Sequence, residues 1–219
     1  MQSSLLPAAD AQAPTRQSPQ AIEAALATIA SQAATCQQCA LCQGRTHSVF
    51  SRGNPHAPLM LIGEGPGQHE DETGLPFVGK AGQLLDRILA SMAIDRDRDI
   101  YICNIVKCRP PQNRAPLPEE MAACRPYLQA QIDLIQPRLI LLAGATALKG
   151  ALNLSGITRL RGRWLPTPFH GAVAMPVFHP SYLLRYASKE KGSPKWLTWQ
   201  DIQEVRRALD ALPQMPTAQ

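Results

Sequence analysis

The sequence predicts an α/β fold, a single domain with a central, mainly parallel four-stranded sheet, helices on both faces and an additional N-terminal helix. Two observations predict it. Short apolar runs alternate with stretches of helical periodicity from residue 59 onward. The chain has 219 residues, 45% of them hydrophobic, which encloses one sizeable core but is short for two domains of ordinary size.

The elements follow in order. Residues 1–20 are rich in Ala, Gln, Ser and Pro and are expected to form a disordered tail; they lack the basic start and long apolar run of a secretory signal. A helix is expected from about Gln20 to Ala34, opening a domain over residues 21–212 that is followed by a short C-terminal tail, 213–219. Leu59-Met60-Leu61-Ile62, ending at Gly63, reads as a buried strand. Gly82 to Met92 is its helix, with Leu84, Leu85, Ile88 and Leu89 on one face. Ile100 to Val106 is the second strand, Pro118 to Ile135 a helix, Leu139 to Ala143 the third strand, and Thr146 to Leu152 a short helix. Val173 to Phe178 is the last strand, and a helix from about Leu197 to Leu212 closes the chain.

In such folds ligands sit beyond the carboxyl ends of the strands. The first strand leads into Gly63-Glu64-Gly65-Pro66-Gly67, the second carries Asn104 near its end, and the last leads into His179-Pro180-Ser181. The glycine spacing is wrong for a dinucleotide fingerprint and lacks the Lys-Ser or Lys-Thr of a phosphate loop, so no nucleotide cofactor is expected. A tight turn with Glu64 merely solvated is the bland alternative.

A formal charge of +5 favours a polyanionic partner such as nucleic acid. No stretch is long and apolar enough to cross a bilayer, so no membrane partner is expected and a soluble, cytoplasmic protein is. In a reducing compartment six cysteines argue for metal ligation rather than disulfides. Cys36 and Cys39 precede the first strand, and Cys108 and Cys124 follow the second. Cys42 extends the first pair, so any two of the three could ligate, and spacing alone does not separate zinc from an iron-sulfur cluster. Cys103, beside Ile102 in an apolar strand, reads as a small core residue.

Several motifs now combine: Gly63-Glu64-Gly65-Pro66-Gly67, Glu70-Asp71, Gly74-x-Pro76-Phe77-Val78-Gly79, Asn104 through Arg114, and His179-Pro180-Ser181-Tyr182-Leu183-Leu184-Arg185. Together they resemble family 4 uracil-DNA glycosylases, from roughly Thr35 to Leu212. The resemblance implies a uracil-DNA glycosylase-like fold and a 4Fe-4S cluster on Cys36, Cys39, Cys108 and Cys124, leaving Cys42 and Cys103 outside the ligand set. It implies a monomer acting in base excision repair on uracil-containing DNA, single- or double-stranded. A related group that bonds covalently to its product carries a nucleophilic His near the position of Cys108 to Arg114; this chain has none there, so hydrolysis with turnover is expected.

The chemistry assigns roles along the motifs. Everting a base from duplex DNA costs a few kcal/mol, about what stacking and hydrogen bonds in a pocket can offset. Phe77 is the expected stacking platform. Asn104 offers an acceptor for uracil N3-H and a donor for O4, demands that cytosine reverses. Glu70 is the candidate for rejecting the thymine methyl. Cleavage puts negative charge on the base and positive charge on the sugar. His179 is expected to bond O2 as that charge grows. Glu64, helped by the backbone at Gly65, is expected to orient water or to stabilise the sugar cation. Leu183, Leu184 and Arg185 could wedge into the stack and grip phosphate, with Arg109 and Arg114, and also Lys107, Arg161, Arg163, Lys189, Lys191 and Lys195, as phosphate contacts. Two rival classes are a nucleic-acid-binding module without activity and an iron-sulfur redox or nucleotide-dependent enzyme.

Overall fold

The computed structural model describes residues 18–169 and 171–213. The expected tail therefore lies outside the described residues up to position 17, as does the C-terminal tail beyond 213. Ser18 caps the first helix, α1 (Pro19–Thr35), accepting from the Ala21 amide while Pro19 fills the first turn, where a missing N–H costs nothing. The helix thus starts within the stretch expected to be tail.

The chain then runs through β1 (Arg52–Gly53), β2 (Leu59–Gly63), α2 (Gln68–Thr73), α3 (Lys80–Ala90), β3 (Ile100–Asn104) and α4 (Pro118–Ile135). It continues as β4 (Leu139–Ala143), α5 (Ala145–Leu152), α6 (Ile157–Leu160), β5 (Leu165–Pro166), β6 (Val173–Val177), α7 (Pro180–Leu183) and α8 (Pro194–Asp210). The sheet order is β1-β3-β2-β4-β6-β5. The four inner strands are parallel, and β1 and β5 pair antiparallel at the two edges. The sheet is therefore mixed and six-stranded rather than four-stranded; each added strand has two residues, too few to show a period.

Every residue of the four inner strands is buried, as expected for strands covered on both faces. Met60, Ile62, Tyr101, Cys103, Ile140 and Leu142 pack with α1, α4 and α5 on one side. Leu59, Leu61, Ile100, Ile102, Leu141 and Met175 pack with α3 and α8 on the other. Cys103 has no solvent exposure and is a core residue of that first face.

From β2 the chain moves to β3 on one side, then crosses back to β4 on the other. That reversal opens a crevice at the carboxyl ends of β2 and β4. The last helix starts at Pro194, earlier than the apolar periodicity suggests, because Ser193 caps it through the Trp196 amide and Pro194 fills the first turn. Among the described residues no helix is long and apolar enough to cross a membrane.

Candidate active site

A cleft of about 400 Å³ lies over the carboxyl ends of the inner strands, lined among others by Glu64, Phe77, Asn104, Thr146, His179 and Arg185. The sheet itself aligns the first of these. Gly63 at the end of β2 is in register with Asn104 at the end of β3, and Glu64 follows directly. A Cβ at Gly63 would collide with Asn104 Oδ1 and with the Phe77 ring. Glycine there lets the amide and the aromatic face close over the strand end.

Phe77 is buried and has φ +56°, a left-handed conformation that costs a bulky residue energy unless its surroundings enforce it. Three contacts enforce it. Arg96 Nη2 donates to the Phe77 carbonyl at 2.8 Å and to that of Pro76 at 3.3 Å. Glu70 Oε1 accepts from the Val78 and Gly79 amides at 2.9 and 2.8 Å. A Cβ at Gly82 would overlap the Phe77 carbonyl, so only glycine admits this turn. Glu70 lines the cleft, and with Oε2 accepting from Gly67 at 3.1 Å its carboxylate clamps the loop that presents Phe77.

His179 caps α7. Its Nδ1 accepts from the Ser181 amide at 3.1 Å and lies 2.8 Å from the Ser181 hydroxyl. A ring nitrogen that accepts carries no proton, so in the neutral ring the proton sits on Nε2. Burial keeps the ring neutral, lowering its pKa to about 4, while the charge of Glu70 acts weakly the other way. The ring stacks on Phe77 with centroids 5.7 Å apart and planes inclined by 29°. Across the crevice, the Thr146 hydroxyl at the start of α5 donates to Glu64 Oε2 in a short hydrogen bond.

Behind the cleft, Cys36, Cys39, Cys42, Cys108 and Cys124 line one small cavity with Arg45 and Lys107. Burial raises the thiols of Cys39 and Cys108 and pushes Cys124 up to about 11. Arg45 Nη1 lies 3.2 Å from Cys108 Sγ, and the Lys107 amide donates to Cys124 Sγ at 3.3 Å. Among the described residues no three Cys, His, Asp or Glu side chains close tightly enough on one point to hold a single metal ion.

Sequence comparison supplies the family. The model of the uracil DNA glycosylase superfamily matches residues 50–203. The chain belongs to the uracil DNA glycosylase superfamily. Within it, the chain belongs with the type-4 enzymes. A type-4 uracil-DNA glycosylase of Thermotoga maritima is 49% identical over 160 residues, 71% of this chain and 81% of that protein. One of Saccharolobus solfataricus is 35% identical over 192 residues, 84% of this chain and 87% of that protein. A type-5 uracil-DNA glycosylase of Thermus thermophilus is 30% identical over 121 residues, 49% of this chain and 55% of that protein.

For this superfamily member the structure revises three readings of the sequence. Leu183 is 1% exposed and packs inward, so it is no wedge, whereas Leu184 beside it is 46% exposed. Lys107 is fully buried, its Nζ donating to the Asn104 carbonyl at 2.8 Å and to Gln131 Oε1 at 2.6 Å, so it meets no phosphate. Arg161 pairs with buried Asp201 and lies over the Phe178 ring. Arg114 lines the cleft while forked onto Glu120, Arg185 lines it too, and Arg109 bonds Asn113 Oδ1 at 2.8 Å.

Sequence reading missed Thr146 and Arg96. Arg96 sits within Asp95-Arg96-Asp97-Arg98-Asp99, which reads as a solvated charge run. Thr146 opens a helix whose pattern is apolar, and its partner is 82 positions away. A polar residue just beyond the third parallel strand was the available signal.

Proposed function

We propose that this chain is a monofunctional uracil-DNA glycosylase that everts uracil from DNA and hydrolyses its N-glycosidic bond, leaving an abasic site in base excision repair. One observation carries the reading. Asn104, Phe77, a neutral His179 and Glu64, from four separate segments of the chain, meet in one cleft.

The extruded base stacks on Phe77 beside His179, on the same face of the ring. His179 lies against Phe77 with its plane inclined by 29°, which sets the imidazole beside the base with Nε2–H available to donate to O2. The bond strengthens as charge flows onto the leaving uracil, which lowers the barrier rather than only improving binding. Asn104 reads N3-H and O4, and cytosine would leave both groups of its buried amide unpaired. With Glu64 Oε2 held by Thr146, Oε1 is left to accept from the attacking water, helped by the Gly65 backbone, while the carboxylate charge faces the forming sugar cation. The side of the cleft at Glu70 excludes the thymine methyl. Leu184, Arg185, Arg109 and Arg114 contact DNA around the mouth.

Cys36, Cys39, Cys108 and Cys124 would hold a 4Fe-4S cluster. Support comes from the one small cavity that these cysteines line and from N–H groups directed at two of the sulfurs. The group supplies structure, since hydrolysis moves no electrons. The catalytic unit spans α1 to α8 in a cytoplasmic monomer.

Incubation with a uracil-containing oligonucleotide, then alkaline cleavage at abasic sites, should show strand breaks that Glu64→Gln lowers by two orders of magnitude or more, about 3 kcal/mol of barrier. Asn104→Asp should gain measurable activity on cytosine. Intact strands with the parent protein, or a DNA adduct that survives denaturation, would refute the reading.

A further inference from the structure

A second groove of about 380 Å³ lies on the far side of α7, between α3 and α8. Its walls are mostly apolar, with the indoles of Trp196 and Trp199 along one side. Trp199 is 44% exposed, an unusual place for so large an apolar surface. Among the described residues, the charged groups that line the groove are the cations Arg87, Lys189 and Lys195, with no carboxylate beside them. Stacking faces beside fixed positive charge are what single-stranded nucleic acid requires.

The groove also adjoins the catalytic cleft. The turn formed by α7 is the partition between them, with Ser181 lining the cleft and Leu183 lining the groove. One helix width, about 10 Å, separates the two. About three nucleotides span that distance at the stacked rise of roughly 3.4 Å each, and fewer do where the strand is unstacked and extended.

We infer that this groove is a second DNA contact, which takes an unstacked base and its phosphate from the strand flanking the everted uracil. The inference rests on the glycosylase reading for its choice of strand. An acidic peptide with an apolar anchor would meet the same chemistry. Adjacency to the cleft favours DNA, because a strand leaving the cleft mouth crosses α7 to reach the indoles.

The test uses the full chain. Binding of a uracil-free oligothymidylate is followed by anisotropy for the parent protein, Trp199→Ala and Lys189→Ala/Lys195→Ala. Trp199 lines the groove and no part of the cleft, and unchanged thermal melts show that each variant is folded. Each change is expected to weaken binding by about ten-fold and to lose its effect when the flanking strand is shortened, and Trp199→Ala is expected to leave single-turnover excision at saturating uracil-DNA unchanged. Parent tryptophan fluorescence should be quenched by the oligothymidylate. Unchanged affinity in both variants overturns the inference, and so does quenching by an acidic peptide but not by DNA. If the parent excises no uracil yet both variants still lose DNA affinity, the glycosylase reading fails and the groove stands.

Discussion

A histidine proposed to act as a neutral donor must have its basicity depressed to serve at slightly acidic pH, and the surroundings of His179 do so. Burial removes the water that would solvate an imidazolium, and the Ser181 amide occupies the nitrogen that would otherwise take the proton. In the unfolded chain the ring titrates near 6.5, in the folded chain near 4. The folded-state value is depressed, so between those values the unfolded state binds more protons; His179 makes stability fall as pH drops through that window and has no such effect above it. Its contribution to single-turnover excision should therefore be level from neutral pH to about 5 and decline only toward 4. Nitrogen-15 spectra should show Nε2 protonated and Nδ1 bare at pH 5.5. A rate midpoint near 6.5 that disappears in His179→Asn would contradict the assignment. The neighbouring glycines show what sequence can and cannot convey at this scale. Gly63 is visible as punctuation, but its reason for being glycine, the approach of Asn104 and Phe77, exists only once two strands stand in register.

Elements that span several turns or a whole buried strand were legible because each carries its own periodicity. The four inner strands, α1, α3, α4, α5 and α8 all fall where apolar patterning places them, with ends shifted by a few residues at caps. The one-turn pieces were not legible: α7 has four residues and α2 six, too short to distinguish a buried face from an exposed one. That is why Leu183 and Leu184 read alike in sequence and differ in the fold. The difference makes a paired prediction. Leu183→Ala should cost about 2–5 kcal/mol of stability, as the loss of a buried leucine does. Leu184→Ala should leave stability within about 0.5 kcal/mol while slowing uracil excision more on duplex than on single-stranded DNA, because only duplex requires a base to be forced from its stack. Thermal melts and single-turnover rates on the two substrates measure both. A destabilised Leu184→Ala with a stable Leu183→Ala would reverse the assignment of core and wedge.

At the scale of the whole molecule, the cysteine cavity is where distant parts of the chain meet. Cys36 and Cys39 follow α1, Cys108 follows β3, and Cys124 lies in α4. Between Cys108 and Cys124 the chain forms one wall of the cleft, including Pro110, Asn113 and Arg114. Lys107, adjacent to Cys108, holds the carbonyl of Asn104. Cys108 is thus tied to the cleft through its neighbour Lys107, whose side chain hydrogen-bonds Asn104. Burial raises the thiols of Cys39, Cys108 and Cys124 and so disfavours their charged forms; a bound cluster would join the segments that carry the four proposed ligands in one rigid unit. Cys108→Ala should accordingly abolish the visible absorption of the iron-sulfur group and lower the melting temperature by about 10 °C, corresponding to 3–5 kcal/mol in a chain of this size. Affinity for DNA should fall with it. Cys42→Ala should alter none of the three, although it lines the same cavity, since the proposed ligand set is complete without it. Retention of the colour by Cys108→Ala with its loss from Cys42→Ala would move the ligand set, and a fully stable, DNA-binding Cys108→Ala would separate the cavity from the cleft wall that it appends to the sheet.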